Sequence, residues 1–420
     1  MASDSDIDWL TSPAAAPWLE MAIHETGGPL ALATRLRKDL SPARARLVVE
    51  QANLRQRAAE KFSFPGRMFF TPRALEQATD DVVARYKAAR FPKAKPVADL
   101  CCGIGGDLIA LARRGPVTGV ERDGVVARVA EANLRTATAG LALSWKDGRD
   151  EANRVAIADV ASFSLAGFAA WHLDPDRRPA GRRTTRVELH EPGPEVIARL
   201  LGDCPNAALK LAPAAVLNDS CFDNSHDSRF RIPWHEAELE WISRKRQCRQ
   251  LVAWFGSLRK TPRQHRATLL ASDLSTSDEG LVPASFVGLP GTAPRVAPQI
   301  GRYVLEPDPA VLAADLTGAL AASHGLQAVA ADVAYLTADK PHISRLLAAF
   351  EVLEVMPYQP KALKSWLRSR CIGRLEVKKR GVEFDPQRVQ AALQVSGDNE
   401  ATLLLCRIRG KTTAILARRV

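Results

Sequence analysis

Residues 97–121 constrain the fold more than any other stretch, because they combine a short apolar strand, a glycine-rich turn, a helix and a second strand. The first strand and turn are Val97-Ala-Asp-Leu-Cys-Cys-Gly-Ile-Gly-Gly-Asp107, and the second strand, Val117-Thr-Gly-Val-Glu121, ends in an acid. Gly103 and Gly105 lack a Cβ atom, so the turn can bend sharply and a ligand can approach the backbone closely. The pattern is half of a nucleotide-binding α/β fold.

The spacing within this stretch also narrows the class of ligand. Glu121 follows Asp99 by 22 residues, and an acid about 20 residues beyond a first strand is placed to accept hydrogen bonds from ribose hydroxyls. A dinucleotide fingerprint requires a third glycine, but that position is Leu108. Asp99 would repel phosphate and attract a cationic amino acid or a sulfonium. The alternative is an ordinary strand–turn–helix unit without a ligand.

The same residues resemble motif I of the class I S-adenosylmethionine (SAM)-dependent methyltransferases, with Glu121 at their ribose-binding acid. The turn is similar to that of RNA cap trimethylguanosine synthase relatives. The whole chain resembles the bacterial methyltransferases that carry a C-terminal THUMP-like domain, which is regarded as an RNA-binding module. The resemblance implies SAM as cofactor and these cofactor-binding residues: Asp99, Cys101, Gly103, Gly105, Asp107, Glu121 and Asp159. In the family an acid at the position of Asp159 contacts the adenine amino group; the alternative for Asp159 is a helix cap.

The implied fold class is α/β, with a Rossmann-like class I methyltransferase sheet, an N-terminal helical domain and a small C-terminal α+β (THUMP-like) domain. We predict four segments: an N-terminal helical domain over 1–88, a SAM-dependent methyltransferase domain over 89–271, a linker and intermediate segment over 272–344, and a THUMP-like RNA-binding domain over 345–420. The third segment begins with a Ser-, Pro- and Gly-rich composition typical of linkers and continues into a predicted helix over 310–323.

Cap residues and hydrophobic periodicity predict the elements. Ser41-Pro42 and Thr71-Pro72 each place an N-cap residue before proline at the first helical position, which predicts helices over 42–61 and 73–80. Strands of the methyltransferase domain are predicted over 97–101, 116–121, 155–159, 169–174, 207–212, 238–243, 250–255 and 266–270. The C-terminal segment has the predicted order β-α-β-α-β-β over 350–356, 360–370, 374–380, 385–394, 400–406 and 412–417.

A second motif, Asp174-Pro-Asp-Arg177, follows the predicted fourth strand at the edge of the sheet where ligands of open α/β folds bind. It resembles the substrate-facing motif IV of the family, but it lacks the second proline and the aromatic residue of the amino methyltransferases. It is also similar to the Asp-Pro-Pro-Arg-x-Gly motif of the 5-methyluridine methyltransferases. Their cysteine nucleophile follows the fifth strand, where this chain has Lys210-Leu-Ala-Pro213. We therefore predict direct in-line transfer without a covalent intermediate.

The resemblance assigns the catalytic role to Asp174, Pro175 and Arg177. Asp174 would orient or deprotonate the acceptor; its alternative is a turn residue at the end of a strand. The arginines of this loop would hold phosphates or another anion, and their alternative is a solvated loop: Arg177, Arg178, Arg182 and Arg183.

The net charge of +11 is concentrated near the C-terminus, where residues 361–420 contain 14 basic and 5 acidic residues. Such a local excess is typical of surfaces that bind phosphate backbones, although a solvated basic surface has the same composition. The predicted RNA-binding residues are Lys361, Lys364, Arg368, Lys378, Lys379 and Arg380. Trp366 either stacks on a base or belongs to the core.

Composition excludes several other classes of protein. There is no run of 18 apolar residues, the N-terminus does not resemble a secretory signal, and the seven cysteines form no C-x-x-C pair. We expect a reduced cytoplasmic protein without a metal site or a membrane partner. The predicted reaction is methyl transfer to a base, guanine or adenine, in a structured RNA (tRNA or rRNA). Two alternatives remain, a non-catalytic SAM- and RNA-binding factor and a methyltransferase of a small anionic metabolite. The oligomeric state is left open.

Overall fold

The computed structural model of the chain describes residues 4–139, 153–178, 181–182, 184–217, 232–270, 283–393 and 395–420. The chain divides into two compact units, which we call the first and the second unit. The first comprises Met1–Glu238, Gln250–Arg263 and Leu270–Val282, and the second comprises Leu239–Arg249, Gln264–Leu269 and Pro283–Val420. The domain boundaries at 88, 271 and 344 rest on the sequence and stay predictions.

The described chain before the first strand is helical. Its α-helices are α1 (Asp4–Leu10), α2 (Ala16–His24), α3 (Gly28–Leu36), α4 (Pro42–Ala58), α5 (Pro72–Gln77) and α6 (Asp81–Ala88). The hydroxyls of Ser41 and Thr71 accept hydrogen bonds from backbone amides three residues ahead, which confirms the predicted starts of α4 and α5. The predicted helix over 73–80 is wrong in extent, because the chain leaves the helical conformation at Ala78 and Asp80 caps the separate helix α6.

The first unit contains the predicted parallel sheet. Its elements are β1 (Val97–Leu100), α7 (Gly106–Ala112), β2 (Val117–Glu121), α8 (Gly124–Thr138), β3 (Asn153–Ile157), β4 (Ala170–Leu173), α9 (Pro194–Asp203) and β5 (Ala207–Leu211). The strand order is β3-β2-β1-β4-β5, and these neighbours pair in parallel. Leu251–Trp254 then pair antiparallel with β5. The carboxyl ends of the parallel strands therefore meet at one edge of the sheet.

The N-terminal helices share a hydrophobic core with the helices of this sheet. Leu47, Val48 and Phe70 pack in one cluster with Val129 and Ala132 of α8. The helical segment thus forms part of the first unit and covers α8. In the described part of the chain, no helix is both long enough and apolar enough to cross a bilayer.

The second unit contains the antiparallel pair of strands β8 (His265–Leu270) and β9 (Ala284–Gly288), and a seven-stranded sheet of order β11-β12-β10-β13-β16-β15-β14. Strands β6 (Glu238–Arg244) and β7 (Gln247–Trp254) contribute residues to both units. The remaining elements of the second unit are β10 (Tyr303–Pro307), α10 (Pro309–Ala313), α11 (Thr317–Ser323), β11 (Gln327–Ala330), β12 (Val333–Ala338), β13 (Leu347–Pro357), α12 (Pro360–Ser369), β14 (Ile372–Arg380), α13 (Pro386–Leu393), β15 (Asn399–Ile408) and β16 (Lys411–Arg419). From β13 onward the predicted β-α-β-α-β-β order is confirmed.

The segment before β13 has more structure than its composition indicated. Strand β10 pairs with β13, and β11 and β12 extend the same sheet beyond it. The predicted single helix over 310–323 is wrong, because the chain breaks at Asp315, which has a φ angle of 55°, and forms the two helices α10 and α11. A linker-like composition at 272–300 thus precedes strands that belong to the sheet of the second unit.

Candidate active site

The turn after β1 has the tight geometry that its glycines predicted. Gly103 and Gly105 adopt φ angles of 54° and 90°, and Gly105 is the N-cap of α7. A Cβ atom on Gly103 would meet no atom within 4 Å, whereas one on Gly106 would lie 2.8 Å from the Thr79 carbonyl oxygen. The turn is therefore open on the side of Gly103 and closely packed on the side of α7.

A cavity of about 820 Å³ lies at this edge of the sheet in the first unit. Its walls come from the turns after β1, β2, β3 and β4, from α1 and α4, and from the segment around α5. It brings together nine of the predicted site residues: Asp99, Cys101, Gly103, Asp107, Glu121, Asp159, Asp174, Pro175 and Arg177. Gly105 does not line the cavity and acts through the shape of the turn. A volume near the top of the range of roughly 300–1,000 Å³ typical of ligand sites accommodates a cofactor beside an acceptor.

Glu121 is held at the end of β2 by the backbone. One carboxylate oxygen accepts a hydrogen bond from the Gly103 amide and the other from the Asp123 amide, each at 3.1 Å. The side chain remains half-buried at the cavity wall. Each oxygen keeps lone-pair capacity beyond its one bond, so Glu121 can still accept hydrogen bonds from ribose hydroxyls.

Asp99 is buried beneath the turn, with only one of its oxygens paired. Its Oδ1 lies 2.7 Å from Nδ1 of His172 on β4, while Oδ2 is buried without a hydrogen-bond partner among the described residues. Burial raises the pKa of the Asp99 carboxyl, and the hydrogen bond from His172 opposes that rise. A buried, unpaired acceptor at a cavity wall fits a ligand that brings a donor, such as the amino group of SAM.

Asp107 has a different environment from that of Asp99, although the sequence assigned both to the cofactor. Its oxygens lie 2.7 Å from the Lys87 ammonium and 2.6 Å from the Thr79 hydroxyl. Burial favours the protonated acid, but the positive charge of Lys87 outweighs it and holds the Asp107 pKa well below its usual range. Asp107 lines the cavity, but its carboxylate already joins α7 to α6.

Lys87 links the two buried acids. Its ammonium lies 3.1 Å from Nε2 of His172, so the histidine accepts there and donates from Nδ1 to Asp99. Burial lowers the pKa of Lys87, and Asp107 opposes that change. Neither His172 nor Lys87 was predicted from the sequence. Two features of the sequence could have identified them. His172 is a polar side chain within the apolar run of β4, and Lys87 is a lysine on the buried face of α6.

Asp159 lies in the loop after β3, at the cavity wall, and its side chain is exposed. Its Oδ1 accepts a hydrogen bond from the Ala161 amide at 2.8 Å, and its carbonyl oxygen accepts one from the Ser162 amide. The residue therefore caps a turn of its own loop rather than a helix. Its position agrees with the proposed contact to adenine, and its capping bond agrees with a structural role.

Asp174 forms an ion pair that the sequence did not predict. Lys210 on β5 places its ammonium 2.5 Å from Oδ2 of Asp174 and 3.2 Å from the carbonyl oxygen of Gln77. Lys210 is 5% exposed and does not line the cavity, whereas Asp174 does. The lysine occurs in the segment where the 5-methyluridine methyltransferases have their cysteine nucleophile, and only its pairing partner identifies its importance.

Polar contacts also hold the rest of the motif IV loop, which continues from Asp174 through Arg177. Asp176 accepts a hydrogen bond from the Arg73 guanidinium at 2.9 Å, and its backbone pairs with that of Glu191. Glu191 in turn forms an ion pair with Arg122. Arg177 lines the cavity and forms no ion pair among the described residues. Its guanidinium is therefore available for an anionic group in the cavity.

The other predicted arginines of the loop are less available or lie elsewhere. Arg178 lies 4.0 Å from Glu76 and lines the cavity, while Arg182 is exposed. Arg183 lies outside the described residues.

Two thiols lie close to the cofactor turn, and neither is an activated nucleophile. Burial, followed by the nearby charge of Glu121, raises the pKa of Cys101, and burial raises the pKa of Cys102. Both thiols are therefore protonated at neutral pH. Across the described ranges, no group of three or more His, Cys, Asp or Glu side chains could hold a metal ion.

The predicted RNA-binding residues fall into two groups. Lys361, Lys364 and Arg368 follow a spacing of three and four residues, which places them on one face of α12, away from the buried Leu363 and Leu367. This basic face contains no acidic residue.

The second group is engaged within the sheet. Lys378 and Arg380 of β14 form ion pairs with Glu306 of β10 at 2.9 and 3.2 Å, so they join strands distant in the sheet order. Lys379 is exposed. Trp366 packs against the core of α12, and the Arg370 guanidinium lies 4.5 Å from its ring centre, which favours the core alternative.

Comparisons with known proteins agree with this fold and site. The family described as THUMP domain-like matches residues 347–419, and a domain of unknown function, DUF8688, matches residues 5–58. Two relatives from Mycobacterium tuberculosis, strains CDC 1551 and H37Rv, are described as uncharacterised SAM-dependent methyltransferases. Each is 29% identical over 377 residues, which is 87% of this chain and 93% of the relative.

A solved structure of a candidate methyltransferase from Porphyromonas gingivalis W83 covers 100% of both chains at a TM-score of 0.75 and 19% identity, and it shows the same fold. The fold class is thus confirmed. The chain has the fold of the class I SAM-dependent methyltransferases and a C-terminal THUMP-like domain, as its motifs predicted, and the relatives it resembles are described as SAM-dependent methyltransferases.

Proposed function

We propose that the protein transfers the methyl group of SAM to a base in a structured RNA, tRNA or rRNA, by direct in-line transfer. The reaction would take place in the cavity of the first unit, and the THUMP-like domain would bind the RNA. The observation that carries the RNA assignment is the acid-free basic face of α12 within that domain. Such a face neutralises phosphates irrespective of sequence.

Within the cavity, the proposed roles follow from the contacts of each residue. SAM, when bound, supplies a methyl group activated by a sulfonium. The free Oδ2 of Asp99 would accept from the amino group, Glu121 from the ribose hydroxyls and Asp159 from the adenine amine. Asp174 would orient the acceptor, and Arg177 would hold a phosphate next to it.

The test is methyl transfer from radiolabelled SAM to fractionated cellular RNA from a strain that lacks the protein. We expect label in one RNA fraction, and we expect Asp174→Ala to remove it while binding of S-adenosylhomocysteine (SAH) and of RNA is retained. That pattern also separates an enzyme from a non-catalytic factor. Absence of label from every RNA fraction, with SAH binding demonstrated, would contradict the proposal.

A small anionic metabolite is the second candidate acceptor, because Arg177, which has no ion pair with any described residue, suits any anion. The salt dependence of acceptor binding distinguishes RNA from a small anionic metabolite. Several phosphate contacts give a steep linear fall of log affinity with log salt, whereas one anion gives a shallow fall. A cytoplasmic location is part of the proposal and rests on composition alone.

A further inference from the structure

Arg55 of α4 is a buried cation for which the described residues supply no anion. The buried ammonium groups of Lys87 and Lys210 each contact a carboxylate. Arg55 is only 9% exposed, yet it forms no ion pair with a described residue. Burial lowers the pKa of Arg55 to about 10, so the guanidinium stays charged at neutral pH. A buried charge without a compensating partner is unfavourable, so this position favours the binding of an anion.

The contacts of Arg55 leave its two terminal nitrogens unused. Its Nε donates a hydrogen bond to the Met68 carbonyl oxygen at 3.0 Å, and the guanidinium lies 5.3 Å from the centre of the Phe69 ring. Neither terminal nitrogen has a hydrogen-bond partner among the described residues, and neither is sealed from solvent. The planar fork of a guanidinium is suited to two parallel hydrogen bonds to a phosphate.

Arg55 lies one helical turn from the wall of the cavity. Gln51, four residues earlier in α4, lines the cavity and binds the backbone of Phe70, which also lines it. Residues four apart lie on one face of a helix and about 6 Å apart along its axis. An anion bound to Arg55 would therefore lie beside the cavity rather than within it.

The chain segment next to this contact carries an exposed aromatic ring. The 3₁₀ turn Pro65–Arg67 packs against α4 and leads into Met68. Phe64, which precedes the turn, is 52% exposed, and Arg67 is exposed without an ion pair to any described residue. Exposed aromatic rings next to cations are typical of surfaces that bind single-stranded RNA, because bases stack on the rings.

We propose that Arg55, Arg67 and Phe64 form a nucleotide site, where the guanidinium groups bind a phosphate of the acceptor RNA and the phenyl ring stacks on an unpaired base. This inference rests on the proposed function and adds an RNA contact on the first unit. The phosphate supplies the anion that Arg55 lacks. Because the site lies one helical turn from the cavity wall, the bound nucleotide flanks the one whose base enters the cavity.

The salt dependence of RNA binding tests the two parts of the site separately. The full-length protein is titrated into a fluorescein-labelled, 12-nucleotide single-stranded RNA of mixed sequence, and anisotropy is measured across a salt series. Arg55→Met should weaken binding about 10-fold and lower the slope of log affinity against log salt by about 0.7, the value for one phosphate of a single strand. Phe64→Ala should weaken binding about 10-fold without changing the slope, because stacking is not ionic.

Matched variants separate these roles from structural ones. Arg55→Lys retains the charge and should keep the wild-type slope. Arg37→Met removes an exposed cation of α3 and should change neither affinity nor slope. SAH affinity by calorimetry should stay within about threefold of the wild type in every variant. The Phe64 ring is exposed, so Phe64→Ala tests the site even if Arg55→Met does not fold.

Three results would overturn the inference, and they are distinguishable. Wild-type affinity and slope in both Arg55→Met and Phe64→Ala, with methyl transfer to RNA intact, would leave the proposed function standing without this site. If Arg55→Met loses only the protection from thermal unfolding by inorganic phosphate at constant ionic strength, while RNA binding is unchanged, the site takes a free anion instead of RNA. If the wild type neither binds nor methylates any RNA, the proposed function and this inference both fail.

Discussion

At the scale of the residue, the acids around the cofactor turn have different tasks, although they look alike in the sequence. Among the described residues, one buried oxygen of Asp99 has no hydrogen-bond partner and Glu121 keeps lone-pair capacity, whereas both oxygens of Asp107 are engaged. The distinction depends on which side chains approach from other elements. Motif I therefore predicts the position of each acid but not which of them a ligand can use.

Asp99→Ala and Glu121→Ala should each weaken SAH binding about 10- to 100-fold. The reason is that a hydrogen bond to a charged group contributes about 1.5–3 kcal/mol. Isothermal titration calorimetry gives the affinities, and circular dichroism confirms the fold of each variant. Glu60→Ala removes an exposed acid of the same unit and serves as the control. Unchanged affinity in both variants would refute the cofactor assignment.

The sequence predicted most of the cavity wall, because strand ends and glycine turns are local patterns. Nine of ten residues assigned to the cofactor and the reaction line one cavity. It did not predict Lys87, His172 or Lys210. Each is a single polar residue in an apolar element, and its role arises from a partner distant in the chain. Local periodicity contains no information about such pairs.

At the scale of the element, the pair Lys87–Asp107 joins α6 to α7 beneath the cofactor turn. Both side chains are nearly inaccessible to solvent, so the pair is little screened. The contact determines where α7, and thus the turn that it follows, lies relative to the N-terminal helices.

Lys87→Met should lower the free energy of unfolding by about 3–5 kcal/mol, because Asp107 would remain buried without its cation. The pKa of Asp107 is depressed in the folded state, so its contribution to stability is present above about pH 4, the usual value for the acid, and is lost as the pH falls below it. Urea denaturation between pH 3 and 7 should therefore show a flatter pH dependence in the variant than in the wild type. Parallel curves would contradict this account.

At the scale of the whole molecule, the basic excess near the C-terminus does not act as one surface. The sequence grouped six basic residues as RNA contacts. The structure places three on one face of α12, and pairs Lys378 and Arg380 of β14 with Glu306. Charge counts predict that a segment is basic, but they do not predict which of its cations pair with an acid elsewhere in the sheet.

The triple variant Lys361→Gln, Lys364→Gln and Arg368→Gln should weaken RNA binding and reduce the slope of log affinity against log salt by about three, one for each lost contact. The pair Lys378→Gln and Arg380→Gln should instead lower the stability of the second unit, because Glu306 loses both partners. Fluorescence anisotropy across a salt series and thermal unfolding measure the two effects. An unchanged slope in the triple variant would show that α12 does not contact RNA. SAH affinity should be unchanged in the triple variant.

The contact between α6 and α7 also bears on how such an enzyme can be divided or recombined. A fragment starting at the predicted boundary of the methyltransferase domain would retain Asp107 but lose Lys87 and Thr79, and the floor of its cofactor pocket would contain an isolated buried anion. We therefore expect the catalytic sheet to be unstable when the helical segment is removed. Grafting this sheet onto another protein would require the donor helices, or a replacement cation at the same depth.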